Sequence, residues 1–370
     1  MQRIENIRPE SFANISLLRA IAALMVVYDH LFCIVPLRHF GVAAFPAPLV
    51  QEYISTPLGI IQDFGWMGVA IFFLVSGFII SHVAMRENRA EFIVKRVFRI
   101  YPPLILAVLI ACVASFITSG KTFTLGQVLS AFTLTNYWTY PQVPVLGVAW
   151  TLAIEILFYV LTFILLPILK KNPIIAISIQ LSVVFVIYGL RKDFGHGFFL
   201  FSASAAYLPY LIIGQITYFL YARIITPGAF FILLTVAYAA VLVGIHLIHT
   251  AFIRVDNSYL INFMYAYFVF IIFLVFKDRF RVAPFMQFLA DSSYSLYLLH
   301  GSVGITAIVL ISKYIESNSE FVVLATSLFA AALSIFASWL FFRLVERPSI
   351  KLARSTCRAI NMNFLRERRD

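Results

Sequence analysis

Charge is scarce in this sequence of 370 residues. Only 12% of them are charged and 62% are hydrophobic, against roughly 25% charged and 45–50% apolar in a soluble globular protein. That balance excludes a soluble enzyme and a disordered chain. Cysteine is scarce too. Cys33 and Cys112 sit in apolar runs and Cys357 in a basic stretch. No Cys/His spacing suits zinc and no disulfide framework is suggested, so no metal is expected. No GxSxG, HExxH or P-loop pattern occurs, which removes support for the usual hydrolases, zinc proteases and NTPases. Acidic residues number 17 against 28 Lys and Arg, a net charge of +11. In so apolar a chain that excess marks Lys and Arg collected in cytoplasmic loops, and no nucleic-acid partner is expected.

What the chain has in abundance is apolar runs long enough to cross a bilayer. They fall at about 15–35, 65–84, 102–118, 147–169, 174–190, 198–222, 228–248, 259–276, 292–312 and 321–343. The fold class read from them is all-α, a polytopic membrane protein of about ten transmembrane helices. The first run, some 20 residues long, is too long for a typical signal segment, and Val42-Ala43-Ala44 is a weak cleavage-like site. An uncleaved first helix is expected. With the N-terminus placed in the cytoplasm, most Lys and Arg fall on the cytoplasmic side, including Arg3, Arg8, Lys277, Arg281 and the stretch Arg343 to Arg369; Arg254 falls outside. Both termini are therefore expected in the cytoplasm. The expected division is a cytoplasmic N-terminus over 1–14, a transmembrane domain over 15–343 and a basic cytoplasmic tail over 344–370. Tail residues Arg354 to Arg369 suit anionic lipid. The segment 119–146 reads as amphipathic or re-entrant between Leu125 and Trp138. No hydrophilic stretch would hold a soluble domain, no internal repeat is visible, and paired broken helices of the transporter kind are missing.

Ionisable groups inside a bilayer are expensive and mark function by default. The first helix has three: Arg19, Asp29 and His30. His30 stands eleven positions after Arg19. At 100° and 1.5 Å per residue they share a face, about 20° apart, and lie about 16 Å apart along the axis. Arg19 alone reads as snorkelling to headgroups, and His30 alone as a packing residue. Together, with Asp29 adjacent, they favour a polar cavity in which His30 is the candidate base. Glu155, early in the helix that enters from the outside, is expected at the depth of His30. There it could orient the imidazole, hold a hydroxyl or pair with an arginine; a protonated, hydrogen-bonded carboxyl is the structural alternative. Ser293, Tyr294, Ser295, Tyr297 and His300 share one half-helix. They suit a wet cavity or helix-packing glue equally. After the second helix, Arg86, Arg89, Lys95, Arg96 and Arg99 precede Tyr101-Pro102-Pro103. This cluster is either a positive-inside signal or a phosphate grip.

Several segments resemble the membrane-bound acyltransferase family 3, the integral-membrane O-acyltransferases of bacterial surface polysaccharides. Arg19 and His30 match its Arg-x10-His signature. Gly68 to Phe78 with Ser76, Arg96-Val97-Phe98-Arg99-Ile100-Tyr101-Pro102, Trp150 to Tyr159 with Glu155, Ser293 to His300, and Val345-Glu346-Arg347-Pro348 follow in the family's order. The resemblance covers about residues 14–349. It implies transfer of an acyl group, usually acetyl from acetyl-CoA and in some relatives succinyl or a longer chain. The implied acceptor is a hydroxyl of a cell-surface or lipid-linked saccharide, and the implied place is the bacterial inner membrane. It assigns essential roles to Arg19 and His30 and donor binding to Arg96 and Arg99. The residues themselves add Asp29 and Glu155 as catalytic supports for the imidazole, Arg86 and Tyr101 beside the donor arginines, and Trp150, Ser76, Tyr297 and His300 for the substrate cavity. Many relatives carry a hydrolase-like periplasmic domain after the membrane part; the basic tail here suggests a stand-alone enzyme. The competing readings are a transporter of lipid-linked sugars or small molecules and a non-catalytic assembly subunit. Nothing in the residues fixes the oligomeric state.

Overall fold

The computed structural model describes residues 13–249, 258–276, 279, 283–315 and 317–367. Arg3, Arg8, Arg254, Lys277 and Arg281 lie outside them. Ten helices are long and apolar enough to cross a membrane, and no strand occurs among the described residues. The elements that build the site are α1 (Ala13–Tyr28), α2 (Gly65–Arg86), α3 (Arg89–Ser119), α4 (Leu125–Phe132) and α5 (Trp150–Lys171). Next come α6 (Pro173–Leu190), α7 (Gly195–Ala205), α8 (Leu208–Tyr221), α9 (Pro227–Gly244) and α10 (Ser258–Val275). The last are α11 (Pro284–Asp291), α12 (Ser293–Leu299), α13 (Thr306–Tyr314), α14 (Glu320–Phe341) and α15 (Arg347–Glu367). We call the end of the bundle that holds Arg96, Lys170 and Arg343 its basic end.

The centre is the crossing of α2 and α8, the two elements that pack most extensively. A methyl group on Gly77 would fall 1.8 Å from the Leu211 carbonyl, and one on Gly214 would fall 2.1 Å from that of Leu74. Each glycine thus receives the other helix's backbone. Close backbone approach is how helices gain contact in lipid, where apolar burial gives no drive between them. On the outside, Val113, Phe116, Phe231, Ile232, Phe268 and Phe329 are exposed, as hydrocarbon requires of the faces it wets.

Two elements depart from the sequence expectation in a way that matters. The third helix was expected from residue 102, because proline suits a first turn. It begins instead at Arg89, capped by Asn88 and Glu91 in a reciprocal box, and runs 31 residues straight through Pro102 and Pro103. Arg96 and Arg99 are therefore inside α3, three residues apart on one helix face, as their spacing suggests. Pro102 cannot donate to the Phe98 carbonyl four residues back; the Ser349 hydroxyl does so instead. The last helix was expected to end near 343 in a tail. It continues through a π-helical turn, Phe342–Glu346, into α15. Further π-helical turns follow α1 at Asp29–Ile34 and α12 at His300–Ile305, and these two turns touch. Such turns widen a helix and often hold functional side chains.

Candidate active site

Two cavities meet inside the bundle. The larger, about 730 Å³, is lined by His30, Asp29, Trp66, Trp150, Tyr207 and Tyr259 among others. The smaller, about 90 Å³, lies toward the basic end and is lined by Arg19, Arg96, Arg99, Ser76, Glu155 and Tyr159 among others. Tyr297 lines both. Its hydroxyl donates to the Val148 carbonyl (3.1 Å) and accepts from Thr151 (3.0 Å), and its ring meets Phe72 edge-on at 5.4 Å. That tethered ring is the partition.

Helix periodicity puts Arg19 and His30 on one face, and the structure places one in each cavity. His30 Nδ1 is 2.9 Å from the Val26 carbonyl. A carbonyl only accepts, so the proton sits on Nδ1 and Nε2 keeps its lone pair. The sequence expectation that Asp29 or Glu155 orients this ring is corrected: a backbone carbonyl one turn back does so. Asp29 is 2% exposed, and its Oδ1 has no hydrogen-bond partner among the described residues. Its carboxylate lies against Gly65 at the start of α2, where a methyl group would come within 2.2 Å of Oδ2. Any larger residue at Gly65 would push Asp29 out of its place on the cavity wall.

Glu155 was expected at the depth of His30. It is found in the small cavity instead, accepting from Ser76 (3.0 Å) and Tyr159 (2.5 Å). The segment between α3 and α5 explains this. It forms the short helix α4, then a turn in which Asn136 bonds the Val143 carbonyl and Tyr137 that of Leu146. It thereby delivers Trp150 to the wall of the large cavity. Glu155 follows five residues on, about 7.5 Å deeper toward the basic end.

Three guanidinium groups face the small cavity. Arg96 is partly committed: it approaches Glu87 at 3.6 Å and lies over the Phe92 and Tyr159 rings, while Lys95 takes the other Glu87 oxygen at 3.1 Å. Arg19 and Arg99 have no carboxylate within ion-pair distance among the described residues. The carboxylates whose charge acts on both are Glu346 and Glu155. The sequence reading did not rank Glu346. It is 2% exposed, accepts from Ser295 at 2.6 Å and ends the π-helical turn before α15. A carboxylate two residues before Pro348, at the end of an apolar run, was the available signal.

Other expected residues fall elsewhere. Arg86 is exposed and Tyr101 is half-buried, and neither lines the small cavity. His300 was expected on a cavity wall. It is wholly buried and lines neither cavity. Its Nδ1 meets the Tyr297 carbonyl at 2.8 Å, and its ring stands 5.1 Å from that of His30. Ser293 and Ser295 bond inward to the Ala290 carbonyl and Glu346. Of the hydroxyls on that half-helix, Tyr294 and Tyr297 reach the cavities. No three His, Cys, Asp or Glu side chains gather as metal ligands among the described residues.

The arrangement joins an anion-binding wall to an unblocked imidazole across one tyrosine, which suits group transfer from an anionic carrier. The chain is 32% identical over 178 residues to Nodulation protein 10 of Rhizobium leguminosarum bv. viciae, an alignment covering 43% of this chain and 45% of that protein. The match thus spans less than half of the relative's length. No solved structure matches. The acyltransferase domain model of the type 3 family matches residues 12–343, nearly all of the membrane part, and the chain belongs to that family.

Proposed function

We propose that this protein moves an acyl group, acetyl in the first instance, from cytoplasmic acyl-CoA to a hydroxyl of a cell-surface or lipid-linked saccharide at a bacterial inner membrane. The observation that carries the reading is the division of the site. Three arginines wall a small cavity at the basic end, and a base with a free lone pair lies beyond Tyr297. With the basic end in the cytoplasm, Arg99 and Arg96 hold donor phosphates, since guanidinium groups grip phosphate in bidentate fashion. The pantetheine arm runs past Arg19, whose guanidinium binds the arm. The approach of about 16 Å from Arg19 to His30 is made by the extended arm, with the Tyr297 ring swung aside.

In the large cavity, Trp66, Trp150 and Tyr207 form a continuous aromatic wall; the two tryptophan rings are parallel, with centroids 6.5 Å apart, and Trp150 and Tyr207 lie at 5.2 Å. Such walls stack on sugar faces, and the unpartnered Asp29 Oδ1 accepts from a sugar hydroxyl. His30 Nε2 takes the acceptor's proton as its oxygen attacks the thioester carbonyl. The new C–O bond forms, the C–S bond breaks, and the thiolate leaves with the proton returned from His30. A transporter needs no acyl donor, so donor chemistry separates the two readings. The test is incubation of the protein in nanodiscs with [1-14C]acetyl-CoA and a glycolipid and polysaccharide extract. Base-labile label on a saccharide supports the reading. Absence of label, together with no thermal stabilisation by millimolar acetyl-CoA, overturns it.

A further inference from the structure

Helix α15 has a feature the transfer reaction does not use. Arg347, Lys351, Arg354 and Arg358 are all exposed. At 100° per residue they fall within about 60° of one another, a stripe about 16 Å long. None of the four forms an ion pair among the described residues, and no acidic residue lies between Arg347 and Ile360. One flank of the helix is buried against α3 through Ser349, Ala353 and Cys357. The other flank exposes Leu352 at 55%.

The level of this stripe is set by its neighbours. Arg343 lies over the Trp339 ring at 4.5 Å one turn before α15 begins, a pairing that belongs at the bilayer–water boundary. α15 then runs back along the first part of α3: Ser349 bonds the Phe98 carbonyl and Cys357 lies near Lys95 and Glu91. That part of α3 is itself held against α5, where Arg89 reaches the Ile164 carbonyl and lies over Phe163. α15 therefore stays at the membrane edge. A cationic stripe beside an exposed leucine, held at that level, matches lipid phosphates beside acyl chains.

We infer that α15 is an interfacial docking surface for anionic phospholipid headgroups. The Ser349 hydroxyl, which takes the Phe98 carbonyl that Pro102 leaves without a donor, ties this face to the helix that carries Arg96 and Arg99. None of the four cations lines the small cavity, so the donor's phosphates are the poorer partner.

The test compares wild type with R347Q/K351Q/R354Q/R358Q and with the charge-preserving R347K/K351R/R354K/R358K. Each is offered equal phosphatidylglycerol and phosphatidylcholine, and the lipid retained is counted by native mass spectrometry. Acetyl-CoA affinity is measured on the same samples, and circular dichroism reports the fold. The expected result is a phosphatidylglycerol preference that falls about tenfold or more in the glutamine variant, survives in the charge-preserving one, and fades in wild type as salt rises. A glutamine variant that keeps the wild-type preference overturns the inference. So does a tenfold loss of acetyl-CoA affinity with lipid preference unchanged, which would assign the stripe to the donor.

Discussion

The two cavities differ in almost every respect although a single tyrosine divides them. The small one is walled by Arg19, Arg96 and Arg99 with Glu155 set among them. The large one has eight times the volume and a wall of Trp66, Trp150, Tyr207 and Tyr259. Its described lining includes Asp29 and His30 but no Lys or Arg. One wall suits a polyanion and the other a hydroxylated ring. The difference teaches how a membrane bundle keeps a cationic wall and an aromatic wall apart. In the proposed reaction each substrate is recognised where its charge is tolerated, and only the reacting groups meet at the partition.

The largest effect should come from the base. His30→Ala is expected to lower turnover by about 10²–10⁴-fold, the range for a general base, while acetyl-CoA still stabilises the protein; initial rates and thermal shift check both. Arg96→Ala/Arg99→Ala breaks the other half. Loss of two charge-assisted contacts should raise the apparent Kd for acetyl-CoA by roughly 100-fold, measured by isothermal titration, with turnover largely recovered at saturating donor. Asp29→Asn is milder and sharpens the assignment of the large cavity. It should raise the acceptor KM about tenfold, the worth of one charged hydrogen bond, and leave the donor KM unchanged. Tyr297→Ala joins the two cavities. Water then reaches the thioester, and hydrolysis of acetyl-CoA without acceptor should rise about threefold, a change of under 1 kcal/mol in barrier, followed by thiol release.

Much of the bundle was legible in the sequence because hydrocarbon imposes a simple rule: each span needs about 20 apolar residues. That rule located ten spans, and the 3.6-residue period put Arg19 and His30 on one face. Periodicity gives a face, however, and says nothing about what stands opposite. The partner of His30 proved to be the Val26 carbonyl, and no side-chain pattern announces a backbone acceptor. Depth was misjudged for Glu155, because the turn at Asn136 and Tyr137 sets where α5 begins. The start of α3 was misplaced because a proline pair inside a helix is tolerated only when another group serves the freed carbonyl. Here Ser349, some 250 positions away, does so. Glu346 went unranked for the same reason: its meaning depends on Ser295 and on Arg99, both distant in the chain.

The division of labour between the cavities is tested most directly by measuring acetyl-CoA Kd and acyl-transfer turnover side by side for His30→Ala and Arg96→Ala/Arg99→Ala. The account predicts a crossed pattern. His30→Ala keeps the wild-type Kd and loses turnover, and the double arginine variant loses affinity and keeps turnover at saturating donor. Equal loss of donor affinity in both variants would contradict it, because a single undivided site would then hold donor and base together.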